Sequence, residues 1–361
     1  MKMRPRTVLL LPLTLLWLGQ SSQAPGVKSP TSQEDADTLA TLVRSNAFRE
    51  ADRLAARILA APRTDARTMA VCGLAILKAG RVEEAEALFR KVVAREPESP
   101  EAHLGLGRVA RIRNDADAAV SHLRLAVSSE AFFEDALRQL WRAAWDRGLV
   151  DDLLDIHGLA EGRYGRESKP LPSWFTNGLA QVQGLEGKRL YEMTGAFERL
   201  RVPLVAAEPH SRIRMIALKL NGKGDYLFDI DSASADFLTV SPLLAEELGL
   251  VQSGGSSATG VGTAAAAVRF AVLDKVELGP VVFRNVPVMV SDIQPFRGLK
   301  KGLLGTAFLK RFNATIDVER EAMELVPLDR PELLASAVDR SAVAADVPLL
   351  LYDATMVEAS V

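Results

Sequence analysis

From about residue 36 to residue 160, hydrophobic positions recur at helical spacing in a stretch rich in alanine and leucine. Self-similarity at a fixed period is the mark of repeat architectures. A shift of 34 residues places three residues on residues of similar size: Gly73 on Gly107, Ala85 on Ala119 and Phe89 on Leu123. The pattern therefore predicts stacked helix pairs, in which small residues allow close approach and large ones fill the space between pairs.

This period and this pairing of small with large residues resemble the tetratricopeptide repeat. Two and a half to three copies are predicted, at about 32–65, 66–99 and 100–133. The first is weak, because Ala55 stands where a large residue is expected. Further helices that cap or extend the solenoid are predicted at 134–147, 151–160 and 173–186. The helical region as a whole is expected over residues 36–190.

Near residue 200 the pattern changes to short strands. RIRMIALKL at 212–220 alternates, and Asn221-Gly222 separates it from another apolar run, which is a strong hairpin signal. More strands are expected at 237–240, 267–278, 281–291, 314–318 and 322–326, and helical pieces at 242–250 and 303–312. Many short strands with glycine-containing turns predict an all-β barrel or sandwich.

The segment FDIDSAS at 228–234 resembles the active-site turn of the retropepsin-like aspartic proteases. The segment GLLG at 302–305 resembles that family's second apolar-glycine element, which includes Leu304 and Gly305. Residues 314–317 and 323–325 are similar to its closing hairpin. The resemblance covers about 200–330, one retropepsin-sized unit, and implies a multi-domain α plus all-β chain: an α-solenoid followed by an acid-protease β-barrel.

The resemblance implies a role for each residue of the turn. Asp231 would supply the catalytic carboxylate, Ser232 would buttress the turn across a pseudo-twofold axis, and Ser234 would accept hydrogen bonds near the carboxylate. Ala233 departs from the family, which has glycine there, and its methyl group restricts the turn if a glycine-like conformation is required. An ordinary turn aspartate that caps backbone amides is the alternative for Asp231.

Asp229 stands two residues before Asp231 and would face the same side of the strand, where its charge would raise the pKa of Asp231. An exposed or hydrogen-bonded strand residue is the alternative. Residues 253–263, SGGSSATGVGT, occupy the place of the family's flap, with Gly260, Val261 and Gly262 as candidates; a plain flexible loop is the other interpretation.

Hydrolysis of this kind uses two carboxylates that share a proton and activate one water. One unit supplies one aspartate, so the partner must come from a homodimer or from a second protease unit. VPLV at 202–205 recurs as VPLL at 347–350, and each is followed by a spacer and an alternating strand. Residues 331–361 are therefore expected to be a linker and the start of a truncated second unit.

The amino terminus has Lys2, Arg4 and Arg6 before an apolar run at 8–18 and small polar residues. This pattern predicts a signal peptide over 1–24, a flexible linker over 25–35 and a periplasmic or secreted location. An uncleaved anchor or a buried helix is the alternative, although the apolar run is shorter than the ~20 residues of a membrane span.

The composition excludes several classes of function. A net charge of −2 gives no support for nucleic-acid binding. Cys72 is the single cysteine, and the four histidines His103, His122, His157 and His210 lie far apart in sequence, so no metal site is expected. No phosphate loop, Gly-x-Ser-x-Gly or His-Glu-x-x-His motif is present.

The sequence thus predicts an aspartic endopeptidase without a cofactor, acting on peptide or protein substrates. Its helical repeats would bind protein partners. The alternative is a catalytically inactive pseudoprotease on a tetratricopeptide scaffold, which Ala233 and the missing second unit favour.

Overall fold

The computed structural model describes residues 32–61, 64–207, 211, 213–259, 265–292, 302–335, 349–351 and 355–357. The predicted signal peptide at 1–24 lies outside these residues. Helices occupy the first half, in antiparallel succession: α1 (Ser32–Arg44), α2 (Phe48–Leu59), α3 (Ala66–Lys78), α4 (Val82–Val93), α5 (Pro100–Ile112), α6 (Ala116–Ala126), α7 (Phe133–Arg147), α8 (Val150–Arg166) and α9 (Ser173–Val182). The helix α1 begins four residues before the expected start of the helical region.

Each of the first four helix pairs turns on a residue with a left-handed backbone. These residues recur every 34 positions: Asn46 (φ 59°), Gly80 (φ 88°), Asn114 (φ 61°) and Gly148 (φ 77°). Glycine and asparagine adopt this conformation most readily, so they permit the tight turn. The three predicted helix pairs are confirmed, and the period continues into α7 and α8. These two helices therefore form a fourth pair.

The ring of Phe89 on α4 joins two successive pairs. A Cβ atom at Gly73 on α3 or at Gly105 on α5 would overlap this ring, so both glycines are needed for it to fit. Phe89 is fully buried. The predicted combination of a small and a large residue is thus a direct contact, and Phe89 reaches into the next pair as well.

The first pair inverts this arrangement. Leu39, Ala55 and Val71 stand 34 residues before Gly73, Phe89 and Gly105, and all three are completely buried. Large residues replace the two glycines, and a small one replaces the ring. Ala55 is therefore compatible with the repeat, because the small side chain at this position is accompanied by larger ones at the two positions where the next pair has glycine.

The second half of the chain contains the strands and three short helices. They are β1 (Glu192–Thr194), β2 (Leu200–Pro203), β3 (Val205–Ala206), β4 (Arg214–Leu220), β5 (Lys223–Ile230), β6 (Leu238–Val240), α10 (Pro242–Leu248), β7 (Ser253–Thr259), β8 (Ala265–Leu278), β9 (Val281–Ser291), β10 (Gly302–Leu304), α11 (Thr306–Leu309), β11 (Phe312–Asp317), β12 (Ala322–Pro327), α12 (Glu332–Ala335), β13 (Leu349–Leu351) and β14 (Thr355–Val357).

Six strands close into a barrel in the cyclic order β9-β6-β10-β5-β4-β8. Strand β8 returns to pair with β9 and completes the ring. Buried aromatic rings pack against the barrel strands, where Phe237 contacts Phe283 and Phe308 in edge-to-face geometry at 5.1 and 5.4 Å between centroids. The predicted combination of solenoid and β-barrel is confirmed.

The predicted hairpin at Asn221-Gly222 is present. Both residues have positive φ, 51° and 75°, as a two-residue hairpin turn of type I′ requires. The Asn221 side chain also accepts a hydrogen bond from the backbone N–H of Lys275 on β8 (3.0 Å). The turn therefore anchors this end of the barrel in addition to reversing the chain.

Two predicted elements differ from the structure. The helix expected over 303–312 begins only at Thr306, because 302–304 form strand β10 between two other strands. Residues 253–259, which one interpretation made a flexible loop, form strand β7 and pair with β8. In both cases hydrogen bonds to other strands determine the local conformation.

Outside the barrel, strands β11, β12 and β2 form a separate three-stranded sheet. Strand β13 pairs with β14 so that Leu350 lies opposite Met356, and β3 pairs with β4 so that Val205 lies opposite Met215. The motifs VPLV and VPLL, which the sequence identified as repeats, thus pair with the strands that follow them in the same register. Most of residues 331–361 lie outside the described part of the chain, and the truncated second unit stays a prediction.

The helices and the barrel meet at a polar and aromatic junction. The amide of Asn114 donates to the carbonyl of Lys310 (2.5 Å), and the Lys310 ammonium contacts Asp146 (2.7 Å). Trp145 donates through Nε1 to the hydroxyl of Tyr191 (2.7 Å). Asn114 is one of the left-handed turn residues, so the repeat turn also fixes the barrel against the solenoid.

A search of the described helices finds none that is both long and apolar enough to cross a membrane.

Replacing Phe89 with alanine is expected to lower the free energy of unfolding of the helical region by about 3–5 kcal/mol, because the cavity left between two glycines cannot be filled. Urea unfolding followed by circular dichroism measures this change. Leu125→Ala on α6 is the control, since Leu125 is 45% exposed and its loss should cost under about 0.5 kcal/mol. Equal losses in both variants would contradict the proposed packing.

Candidate active site

The candidate site is the turn between β5 and β6. These two strands do not pair with each other, because β10 lies between them. Strand β10 runs parallel to β5, with Leu304 opposite Ile230, and antiparallel to β6, with Leu304 opposite Leu238. The chain that leaves β5 must therefore pass around the end of β10 before it enters β6, and Asp231 is the first residue of that passage.

Backbone hydrogen bonds fix the start of the turn. The N–H of Asp231 donates to the carbonyl of Leu304 (2.9 Å), which continues the pairing by one residue. The N–H of Ala233 donates to Oδ1 of Asp231 (2.8 Å). A carboxylate that accepts a backbone N–H has a fixed orientation. Asp231 is half-buried, and Ser232 and Ala233 are exposed.

The far side of the turn is held by the segment after β10. Thr306 donates both its N–H (2.8 Å) and its hydroxyl (2.9 Å) to the carbonyl of Ser234. A Cβ atom at Gly305 would overlap the carbonyl oxygen of Asp236 and come within 2.7 Å of that of Ser234. Glycine is therefore required at 305 by close contact between two backbone segments.

The structure thus brings together the predicted residues Asp231, Ser234, Leu304 and Gly305. It adds Thr306, which the sequence analysis did not identify. The only sequence signal for Thr306 is its position directly after the second glycine element. Thr306 is a positioning residue, because it contacts the backbone of the turn and not the carboxylate.

Ala233 does not have the strained backbone that its place in a glycine pattern suggested. The described residues with positive φ include Asn221 and Asn285 but not Ala233. The methyl group is therefore compatible with the local backbone. Any effect of Ala233 on a substrate would come from the volume of its side chain at the exposed surface of the turn.

Asp229 lies opposite Met215 on β4 and opposite Leu303 on β10. It is only 4% exposed, so of the two forms of the alternative, exposed or hydrogen-bonded, the exposed one is wrong. The residue belongs to the buried part of the sheet.

The residues at the predicted flap form a hairpin as far as they are described. Strand β7 pairs antiparallel with β8, from Thr259 opposite Ala265 to Ser253 opposite Phe270. The candidates Gly260, Val261 and Gly262 lie outside the described residues. At the base of the hairpin, the Ser253 hydroxyl donates to the carbonyl of Ala180 on α9 (3.3 Å). The solenoid therefore contacts the hairpin directly.

A cavity of about 390 Å³ lies between the end of the solenoid and the turn. The helices α7 and α9 line one side, and the barrel lines the other with residues that include Ala235, Asp236 and Thr306. Asp231 is not among the lining residues. A larger cavity of about 730 Å³ lies among the helices and includes no residue of the turn.

Burial raises the pKa of the Asp236 carboxyl to about 6. The next residue, Phe237, is fully buried and stacks on Tyr191 with 5.0 Å between the ring centroids. The aromatic contact anchors the chain immediately after Asp236. The carboxyl is therefore held beside the cavity, at the end of the candidate turn.

Two of the histidines, although far apart in sequence, are in contact. The Nδ1 atoms of His103 on α5 and His122 on α6 are 2.9 Å apart, and Nε2 of His103 is 2.7 Å from the carbonyl of Pro97. Burial, and next the charge of His103, lower the pKa of His122. In the described part of the chain, no group of three or more His, Cys, Asp or Glu side chains is arranged to hold a metal ion.

Comparison with protein families supports the assignment of both regions. The family model described as aspartyl protease matches residues 216–308, which contain the turn and the segment that holds it. The model of the tetratricopeptide repeat matches residues 73–136. The chain therefore has an aspartyl-protease-like domain and tetratricopeptide repeats, as the sequence predicted. No curated protein matches the chain.

Solved structures similar to this chain cover its helical part. A structure of MamA (MSR-1) is 18% identical over 43% of this chain and 86% of its own, with a TM-score of 0.32. A structure of PilW, described as a widely conserved type IV pilus biogenesis factor, is 19% identical over 38% of this chain and 65% of its own, with a TM-score of 0.30.

The raised pKa of Asp236 predicts a specific pH dependence. A folded-state pKa of about 6, above the unfolded value near 4, means that the folded protein holds this proton more tightly. Its contribution to stability is complete below about pH 4 and is lost as the pH rises to about 6. At one pKa unit per about 1.4 kcal/mol, the loss is at most about 3 kcal/mol.

Asp236→Asn is expected to remove this loss, because the amide does not ionise. The difference in unfolding free energy between wild type and variant, measured by urea at several pH values from 4 to 7.5, should shift in favour of the variant as the pH rises. The exposed Asp225 on β5 provides a control, since Asp225→Asn should show no such trend. A constant difference between wild type and Asp236→Asn would refute the buried position of this carboxyl.

Proposed function

We propose that this protein is an aspartic endopeptidase in which Asp231 supplies one of the two catalytic carboxylates. The observation that carries the proposal is the clamped turn. Asp231 is half-buried at the end of β5, its Oδ1 accepts the N–H of Ala233, and the turn lies within the region that matches the aspartyl protease family. A carboxylate with a fixed orientation and access to solvent meets the geometric requirement for activating a water.

In the proposed mechanism, two carboxylates face each other and share a proton, because like charges about 3 Å apart do not both ionise. The ionised carboxylate removes a proton from water, which attacks the carbonyl carbon of the peptide bond. The protonated carboxyl donates its proton to the carbonyl oxygen, and a tetrahedral diol forms. The carboxyl that took the proton from water then gives it to the amide nitrogen, while the other carboxylate takes a proton from the diol, so that the C–N bond breaks and an amine and a carboxylic acid are released. In this reaction the chain provides proton transfer and orientation.

The second carboxylate would come from another copy of the same turn. In the described part of the chain, β5 and β6 are the one pair of turn-connected strands with another strand, β10, inserted between them. The side chain of Ser232 is exposed at the same surface as Asp231. An exposed face that carries the turn is suited to pairing with a second such face, in a homodimer or with a second unit.

The helical region would serve to bind protein, either a substrate or a partner. Tetratricopeptide pairs that stack into a solenoid offer extended surfaces of this kind. We further propose that the protein functions in the periplasm or is secreted. The support for this location is the positively charged start and short apolar run of residues 1–24.

A non-catalytic scaffold is the second candidate. The observation in its favour is that Ala233 stands in the turn where the family has glycine, beside the carboxylate that would hold the water. If its methyl group occupies the space of the substrate, Ala233→Gly should create or increase hydrolysis. The protein would then be an inactive protease that binds peptides.

Asp231→Asn is expected to reduce the rate of peptide hydrolysis by about 10²–10⁴-fold, because an amide cannot act as a base toward water. Hydrolysis of denatured casein between pH 3 and 7 measures this change. Asparagine can still accept the N–H of Ala233, so the turn should be preserved. Asp225→Asn, on the same strand but exposed, serves as the matched control and should retain full activity. Equal rates for wild type and Asp231→Asn would exclude the catalytic role.

If two copies of the turn form one site, the Asp231→Asn variant should inhibit wild type on mixing. In an equal mixture at constant total protein, about one quarter of the dimers contain two aspartates, so activity should fall to about a quarter of that of wild type. Independent monomers would retain about half. Chains should be mixed under conditions that allow subunit exchange, with sedimentation to measure the oligomeric state. An active monomer would contradict the dimer.

A further inference from the structure

The cavity beside the candidate turn has features that the proposed hydrolysis does not use. Its wall on the solenoid side is formed by one face of α7, on which residues four positions apart carry the same chemistry. Arg138 and Arg142 form one such pair, and Trp141 and Trp145 form the other. Trp174 on α9 completes the aromatic wall.

The charge of the cavity is predominantly positive. Among its described lining residues are four cationic side chains, Arg111, Arg138, Arg142 and Lys310, and two carboxylates, Asp146 and Asp236. Asp146 lies between Lys310 (2.7 Å) and Arg111 (3.8 Å), so a single carboxylate neutralises part of two cations. Burial raises the pKa of Asp236 to about 6, and its negative charge is therefore partly lost in mildly acidic solution.

Arg138 stacks over the Trp174 ring, with 5.0 Å from its guanidinium carbon to the ring centroid. This contact holds the guanidinium against a flat apolar surface. A rigid guanidinium beside aromatic rings is well suited to a carboxylate that is attached to an apolar stem.

The position of the cavity links it to the candidate active site. Thr306, which lines the cavity, donates two hydrogen bonds to the carbonyl of Ser234 in the turn. Phe270 of β8, the second strand of the flap hairpin, lines the opposite side. A peptide that passes between the turn and the hairpin would therefore have this cavity next to it.

We propose that the cavity between α7, α9 and the barrel is an accessory subsite that binds an acidic side chain of the polypeptide substrate. This inference rests on the proposed function in one respect, because it takes the ligand to be a substrate. The charge preference of the cavity does not depend on that function. Arg138 and Arg142 are the residues that confer the preference. The tryptophan rings hold the apolar stem of the acidic side chain, and the solenoid thus takes part in substrate selection at the barrel.

The tryptophans provide a direct probe of binding. The chain has four, and three of them, Trp141, Trp145 and Trp174, line this cavity. The fourth, Trp17, lies in the predicted signal peptide. Intrinsic fluorescence of a protein without residues 1–24 therefore reports on occupation of the cavity, with no label on the peptide.

The experiment titrates the Asp231→Asn protein, which should not cleave its ligand, with blocked peptides that lack tryptophan. One peptide carries three central glutamates, and its counterpart carries glutamines in their place. The glutamate peptide should change the fluorescence saturably and bind at least tenfold more tightly. Arg142→Gln and the exposed Arg138→Gln should each reduce this preference at least threefold. Arg57→Gln on α2, exposed and outside the cavity, removes the same charge and should leave the preference unchanged.

Equal binding of the two peptides would overturn the subsite, as would an equal loss of preference in Arg57→Gln. The outcomes separate this inference from the proposed function. Charge-selective binding with no hydrolysis by wild type would support the subsite and reject the endopeptidase. Hydrolysis that depends on Asp231 but ignores the charge of the peptide would support the endopeptidase and reject the subsite.

Discussion

The insertion of a three-residue strand between β5 and β6 is the constraint on which the candidate site depends. Leu304 accepts the N–H of Asp231, and Thr306 donates twice to the carbonyl of Ser234. These are contacts to the backbone of the turn, so they fix its path whatever side chains it carries. Gly305 makes the close approach possible, because a side chain there would overlap the carbonyl oxygen of Asp236. The orientation of Asp231 follows from this clamp.

The solenoid and the barrel form one site between them because polar contacts and aromatic rings join them. The Asn114 amide reaches the carbonyl of Lys310, and Trp145 reaches the hydroxyl of Tyr191. Tyr191 in turn stacks on Phe237, the first residue after the turn. Residues of the last repeats are therefore connected to the candidate active site through a short series of direct contacts. This arrangement places the last repeats beside the candidate turn.

The repeats show how much of a fold a sequence pattern predicts. The 34-residue period predicted three helix pairs at the correct positions, because each pair has its own turn residue and its own combination of small and large residues. The fourth pair was not recognised, since Trp141 stands where Gly107 stands one period earlier. The feature that marks the fourth pair is its turn residue, because Gly148 continues the series of left-handed residues. The inverted sizes of Leu39 and Ala55 disguised the first pair in the same way, although both side chains are completely buried.

The sequence by itself determined the elements that local chemistry specifies: the helical period, the hairpin at Asn221-Gly222, and the family-like segments around Asp231 and Gly305. Only the tertiary structure decided that residues 302–304 lie between 228–230 and 238–240, that 253–259 pair with β8, and that His103 contacts His122. It also placed Arg138 and Arg142 in the wall of the cavity that Ala235 and Asp236 line. The physical reason is that propensity and periodicity act over a few residues. The hydrogen-bond partners of a strand and the walls of a cavity, in contrast, can come from residues far apart in the chain.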